Sequence, residues 1–423
     1  MDDGYIYGSA TIDVCNGENV TYWHRVDDPD AYNFCPVVDG YTDAFLFASI
    51  AIIIASMLHF SRLSAVLVLF MGCAAEVLVY KYNLGRFGNS FTVWLGASPP
   101  ELLLYGFLPP LLLDAAMSLD WFVFTKVSRH AIVYAFFVVI ATATCMTPCL
   151  LYGLRLADKG WTWAWACLFV STLASTDALA VSSIIKGAAG PEHLTVLMEG
   201  ESLLNDATSL VLFSVLTAVC QSVKATEFMS VLPNIVVNFA WLAGGGCLVG
   251  LFFGWITLRI LRILRRTGAS RSRELGLIQG MAFFTYYIGS SPLNVSGVIA
   301  VVVFGLYGAA TSKFELANTD AASQLDGVQN TIGSALNGVV FFLGGASATN
   351  FLIRAAPLLE DDFLMTLCYI PVIYFLVFGF RFISITVFNA IFKVAGMGSL
   401  SFSSIPFITI GGMYVFKAFS IHL

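Results

Sequence analysis

The sequence predicts an all-α polytopic membrane protein. Of its 423 residues, 58% are hydrophobic and only 11% are charged, whereas a soluble domain carries about 25% charged residues. The mean hydropathy is +0.82, which leaves too little polar surface to cover a water-soluble fold. The apolar residues also form runs long enough to cross a bilayer as helices. These three observations exclude a soluble globular protein.

A transmembrane helix needs roughly 20 apolar residues. By that criterion the chain contains 12 apolar segments, at about 44–60, 63–82, 98–118, 129–154, 161–186, 194–223, 232–261, 273–290, 292–311, 327–352, 362–392 and 403–423. Residues 1–43 precede them as an acid-rich segment. We therefore expect one transmembrane domain, residues 44–423, behind an N-terminal segment that lies outside the membrane.

The loops predict that the N-terminus is extracellular or lumenal. Lysine and arginine are more frequent in the loops of one side of the membrane, and most of this excess lies in residues 258–273. Loops rich in these residues favour the cytoplasmic side, so the opposite side holds the N-terminus. The acid-rich segment with its glycosylation sequon at Asn19 agrees, and its charge argues against nucleic acid as a partner. The basic cluster is also a candidate contact for anionic lipid head groups, through Arg259, Arg262, Arg265, Arg266, Arg271 and Arg273.

The fifth and sixth apolar segments contain the carboxylates of the candidate site. Asp177 falls in the fifth segment, and Glu201 and Asp206 fall in the sixth. A carboxylate at membrane depth is costly and by default marks an ion pathway or a proton relay. Glu201 and Asn205 are four residues apart and share a helix face, with Ser202 and Asp206 on the adjacent stripe. Such hard oxygen ligands favour Na⁺, Li⁺ or a proton over a soft metal.

Two segments contain features that interrupt a helix. In the fifth, the side chains of Ser175, Thr176 and Asp177 compete for backbone hydrogen bonds. In the twelfth, Gly411 and Gly412 weaken the helix. The two segments are seven apart, so they cross the membrane in opposite directions, as an inverted repeat requires. For the glycine pair, close packing between helices is an equal alternative.

A buried cation in the eleventh segment, Arg381, requires a buried anion. Glu201 is the candidate partner, and that pairing leaves Asp206 able to titrate.

Six features together resemble the sodium/proton exchanger branch of the cation/proton antiporter superfamily. They are FLPPLLLDAA (107–116), STDALAV (175–181), GESLLNDA (200–207), SGVIAVVVFGL (296–306), the Arg381 helix and GGM (411–413). The resemblance implies an inverted-repeat fold of 13 helices with two crossing discontinuous helices. It further implies a homodimer in which core helices at about 129–223 and 362–423 move against dimerisation helices at about 44–118 and 232–290.

The resemblance also implies residue roles. Asp206 would be the carboxylate that Na⁺ (or Li⁺) and H⁺ share, with Asn205 beside it, and an Asn-Asp pair goes with electroneutral one-for-one exchange by alternating access. No cofactor and no metal beyond the transported cation are implied. The supporting residues would be Thr176 and Asp177 at the crossing, and Ser202, Glu201, Arg381, Gly411 and Gly412 in the core.

The chain departs from the family pattern at three positions. Ala178 replaces a proline, Tyr414 replaces an arginine at the helix crossing, and Leu336 and Asn337 stand near a missing acid. Twelve segments instead of 13 also predict a chain that ends one helix early, as a C-terminal truncation.

The predicted location is the plasma membrane or an endomembrane. Sodium/proton exchange is not the only function that the sequence allows. K⁺/H⁺ exchange in an organelle needs the same ligands. A transport-incompetent scaffold, sensor or truncated variant would fit the loss of the arginine at Tyr414. An intramembrane aspartyl protease would use Asp177 and Asp206, but the chain lacks a GxGD motif. We therefore predict a transporter and not an enzyme.

Overall fold

The structure is a computed structural model that describes residues 9–13, 19–23, 40–58, 64–82, 84, 86–96, 103–175, 191–221, 228–267, 271–315, 319–355, 363–394, 396 and 405–410. The chain divides into two compact units. The first comprises residues 1–107 and 331–363, and the second comprises residues 108–330 and 364–423.

The first unit contains a short antiparallel hairpin, three helices, a π turn and the larger part of a long helix. These are β1 (Ser9–Asp13), β2 (Asn19–Trp23), α1 (Gly40–Leu58), α2 (Ser64–Lys81), α3 (Arg86–Gly96), the π turn Leu103–Phe107, and α12 (Thr319–Ala355) from residue 331 onward. Its core is aromatic: the Phe47 ring lies 4.9 Å from that of Phe91 and 5.2 Å from that of Phe342. Such edge-to-face pairs stabilise a core beyond their buried area.

Helices α2 and α12 pack closely within the first unit. A Cβ atom on Gly72 would collide with the backbone carbonyl of Phe342, so glycine is required for this approach. Further along the same contact, the side chain of Asn350 donates a 2.7 Å hydrogen bond to Glu76, which is 1% exposed. This buried acid is not among the predicted site residues.

The second unit contains the remaining helices of the described residues. They are α4 (Leu108–Ser118), α5 (Trp121–Val133), α6 (Val139–Pro148), α7 (Trp163–Leu173), α8 (Glu192–Gln221), α9 (Phe228–Arg266), α10 (Arg271–Ser290), α11 (Gly297–Glu315), α13 (Phe363–Val394) and α14 (Ile405–Ile410). The π turn Tyr134–Val138 joins α5 to α6, and a second π turn, Cys149–Gly153, follows α6. Helix α8 packs against α4, α5, α7, α9 and α11. It is therefore the central helix of the unit.

Each of the 12 predicted segments overlaps a described helix. By length and composition, five described helices could cross a membrane: Trp121–Gly153, Glu192–Gln221, Pro233–Arg266, Gly327–Ile353 and Tyr369–Val394. The predicted number of spans therefore stays a prediction. One reason is that the described helical residues of segment 98–118 run only from Leu103 to Ser118, and another is that α7 ends at Leu173 within segment 161–186.

The predicted division into core and dimerisation helices does not coincide with the division of the chain into two compact units. Predicted core helices at 129–223 and predicted dimerisation helices at 232–290 lie in the same unit, because α9 packs against α8. The compact units reflect packing, whereas the predicted division concerns motion and assembly, so that division stays a prediction.

Candidate ion-binding site

The site forms where α7 ends. The last helical hydrogen bond runs from Ala174 N to Val170 O at 2.9 Å. Just before it, the hydroxyls of Ser171 and Thr172 donate to backbone carbonyls three residues earlier, each at 2.7 Å. Hydroxyl side chains that compete in this way weaken a helix. The helix therefore stops at Leu173, inside the predicted span 161–186.

The residue after this helix end contacts α8 directly. Ser175 donates its hydroxyl to Oδ1 of Asp206, and both residues are partly buried. One turn further along α8, the hydroxyl of Ser209 donates to the carbonyl oxygen of Ser171. The end of α7 is thus fixed to α8 by side-chain hydrogen bonds, and the Asp206 carboxylate lies at this junction.

The polar face of α8 is buried as predicted. Glu201 is 2% exposed, Ser202 is 6% exposed and Asn205 is 0% exposed. Thr208, which is not among the predicted site residues, is 0% exposed, and its hydroxyl donates to the Leu204 carbonyl of the same helix. The spacing of these residues in sequence was sufficient to identify this face.

The predicted ion pair is present. The Nη2 atom of Arg381 lies 2.8 Å from Oε1 and 3.0 Å from Oε2 of Glu201, and both side chains are 3% exposed. The Nη1 atom also donates to the carbonyl oxygen of Ala174 at 3.4 Å. Carbonyls at a helix C-terminus lack intrahelical partners and carry partial negative charge. One guanidinium therefore neutralises Glu201 and caps the end of α7.

Several predicted site residues lie outside the described part of the chain: Thr176, Asp177, Gly411 and Gly412. The positions of the family departures at Ala178 and Tyr414 lie outside it too. The helix that precedes the glycine pair, α14, places Ile405 and Ile408 in the core of the second unit, each 1% exposed.

The basic cluster at the end of α9 is partly committed to the protein itself. Two nitrogens of Arg265 each donate to Glu274 of α10 at 3.1 Å. The Arg259 guanidinium lies 5.2 Å from the centre of the Trp255 ring, within range of a cation–π interaction. Contact of this cluster with anionic lipids stays a prediction.

Comparison with known proteins identifies the family. Residues 45–419 match the sequence model of the family described as sodium/hydrogen exchanger, transmembrane. The chain belongs to the sodium/hydrogen exchanger family. It is therefore an integral membrane protein of a family of transporters, as the motifs around Asp206 predict.

Members of this family resemble the chain over different lengths. Sodium/hydrogen exchanger 7 of Arabidopsis thaliana is 26% identical over 327 residues, which are 76% of this chain and 27% of that protein. The antiporter NhaH of Halobacillus dabanensis is 29% identical over 252 residues, 58% of either protein. The chain thus spans less than two thirds of the length of either relative.

A solved structure shows the same fold. The sodium proton antiporter MjNhaP1 of Methanocaldococcus jannaschii superimposes with a TM-score of 0.65 over 87% of this chain and 84% of that one, at 16% sequence identity. The predicted helical antiporter fold is confirmed by this likeness.

Proposed function

We propose that this exchanger-family protein exchanges Na⁺ for H⁺ and that Asp206 is the carboxylate that both ions use. The observation that carries the proposal is the position of Asp206, partly buried and hydrogen-bonded to Ser175 where α7 ends. Interrupted helices near the membrane centre form ion sites in secondary transporters, because free backbone and side-chain oxygens become available there. Asn205, Thr176 and Asp177 would complete the ligands.

The mechanism rests on competition. A proton and a metal ion cannot occupy one carboxylate together, so each transport cycle carries one or the other across the membrane. Arg381 is engaged by Glu201, and this pairing would let Asp206 change its occupant. With one carboxylate in use, the exchange would be electroneutral at one cation for one proton, by alternating access.

Names of relatives support Na⁺ as the main substrate and leave K⁺ as a second candidate. NhaH is named a Na⁺/H⁺ antiporter. A Bacillus subtilis relative, 32% identical over 175 residues, is named a sodium, potassium, lithium and rubidium/H⁺ antiporter. The oxygen ligands proposed at Asp206 suit any of these monovalent cations.

Assembly and location are further parts of the proposal. We expect a homodimer in the plasma membrane or an endomembrane, with the N-terminus extracellular or lumenal. The acid-rich N-terminal segment, the sequon at Asn19 and the arginines of residues 258–273 support this orientation.

The test is proton flux in proteoliposomes that contain the 423-residue chain. Imposed Na⁺, Li⁺ and K⁺ gradients should reveal the substrate. The variant D206N should abolish exchange, and D206E should retain it with a shifted pH dependence. A matched control is D158N, because Asp158 is exposed in the turn Leu156–Lys159. Normal flux in D206N would refute the proposed site, and a parent chain without flux would favour a scaffold or sensor.

A further inference from the structure

Tyr134 is a buried polar side chain that the proposed exchange does not use. It is 0% exposed and begins the π turn between α5 and α6. Its hydroxyl has no hydrogen-bond partner among the described residues. Single π turns inside α-helices occur frequently at functional sites, and a buried hydroxyl without a partner requires an explanation.

The surroundings of Tyr134 point to the ion pair of the site. The π turn packs against α8, and Glu201 lies within electrostatic range of the Tyr134 hydroxyl. Arg381, the partner of Glu201, uses Nη1 and Nη2 for hydrogen bonds, whereas its Nε has no partner within the described part of the chain. Within the described residues, two buried donors, one from each neighbour of Glu201, therefore lack acceptors.

One water molecule placed between the two donors would satisfy both of them. Leaving a buried donor unsatisfied costs more free energy than immobilising one water molecule. A buried water molecule needs two to four polar partners, and the Tyr134 hydroxyl, the Arg381 Nε–H and the Glu201 carboxylate are three. We propose that Tyr134 binds an ordered water molecule beside the Glu201–Arg381 pair. The water accepts hydrogen bonds from Tyr134 and Arg381 and donates one to Glu201.

Tyr134 is then a positioning residue of the ion site. By holding water against Arg381, it supports the guanidinium that also caps Ala174, next to Ser175 and Asp206. An effect of Tyr134 on transport rests on the proposed function, whereas the presence of the water molecule does not depend on that function.

The experiment compares Y134F with Y152F in the purified full chain. Tyr152 lies on the same continuous helix, Trp121–Gly153, and is 67% exposed, so Y152F is a matched control. Infrared spectra in H₂¹⁶O and H₂¹⁸O should show a water O–H band that shifts with the isotope and is missing in Y134F only. Y134F should also melt at a lower temperature than the parent, because an O–H that hydrogen-bonds to the water is removed. No such band, or an equal or higher melting temperature for Y134F, would overturn the proposal.

A double-mutant cycle with E201Q tests the location of the water. The effect of Y134F on the melting temperature should shrink in the E201Q background, because the two residues share the water. Strictly additive effects would place Tyr134 outside this network and overturn the proposal. Exchange by Y134F should be about two- to tenfold slower, the factor that one ordinary hydrogen bond supplies. Should D206N retain flux, the proposed function would fail, while the infrared band would still decide the water site.

Discussion

Breaking the Glu201–Arg381 pair has an expected effect on stability that follows from its burial. The two side chains are each 3% exposed and lie 2.8 Å apart. Removing one partner of a buried pair leaves an uncompensated charge and costs about 3–5 kcal/mol. We expect E201L and R381L each to lose about that much unfolding free energy. R381L should lose more, because it also removes the donor to the Ala174 carbonyl.

The double variant E201L/R381L separates the charge effect from the loss of contacts. It leaves no buried charge, and replacing a buried ion pair by apolar residues is often neutral or stabilising. It should therefore melt at a higher temperature than either single variant. R265L provides the control, because its partner Glu274 lies 3.1 Å away but the side chains are 25% and 12% exposed. More exposed pairs contribute about 0–1 kcal/mol.

The assay is the melting temperature of the purified chain in detergent, followed by tryptophan fluorescence. A double variant whose loss equals the sum of the two single losses would refute the charge argument. A single variant that melts with the parent would show that an uncompensated charge at this position costs little free energy.

Two further predictions concern neutral hydrogen-bond donors. S175A removes the donor to Asp206 and should slow exchange about 10- to 150-fold, since a hydrogen bond to a charged group contributes about 1.5–3 kcal/mol. S175T keeps the hydroxyl and should exchange normally, and equal flux in both variants would contradict this role. N350L removes the 2.7 Å hydrogen bond to buried Glu76 and should lower unfolding free energy by about 1–3 kcal/mol. S334A, an exposed change on the same helix, should not alter the melting temperature, and N350L melting like S334A would contradict the prediction.

Hydropathy predicted most of the helices, and residue spacing predicted the buried face of α8, because helices and their faces depend on local sequence. The Glu201–Arg381 pair was also predictable, since a buried cation requires an anion and few were available. Helix α3 was missed because it is too short and too polar to resemble a span, although it buries Phe91 and Trp94.

Other contacts could not be predicted because they depend on which turns of separate helices meet. The bond from Ser175 to Asp206 joins residues 31 positions apart, and that from Arg381 to Ala174 joins residues 207 apart. Glu76 is different. It lies at membrane depth in the predicted span 63–82, so the argument that selected Glu201 and Asp206 applied to it equally.

Two carboxylates of α8, Glu201 and Asp206, have different surroundings, and this difference fits a structural role for the first and the proposed transport role for the second. Glu201 is fully buried and held by a guanidinium that also caps α7, so releasing it would break both contacts. Asp206, five residues further along α8, is only partly buried. Its donor Ser175 is neutral, so moving this hydroxyl away from Asp206 leaves no opposite charge without a partner. A carboxylate that exchanges its bound ion in every cycle needs neutral partners such as a hydroxyl and not a buried guanidinium, because breaking a buried ion pair costs several kcal/mol. On this argument Glu201 cannot replace Asp206 as the proposed exchanging group, even though both are acids on the same helix.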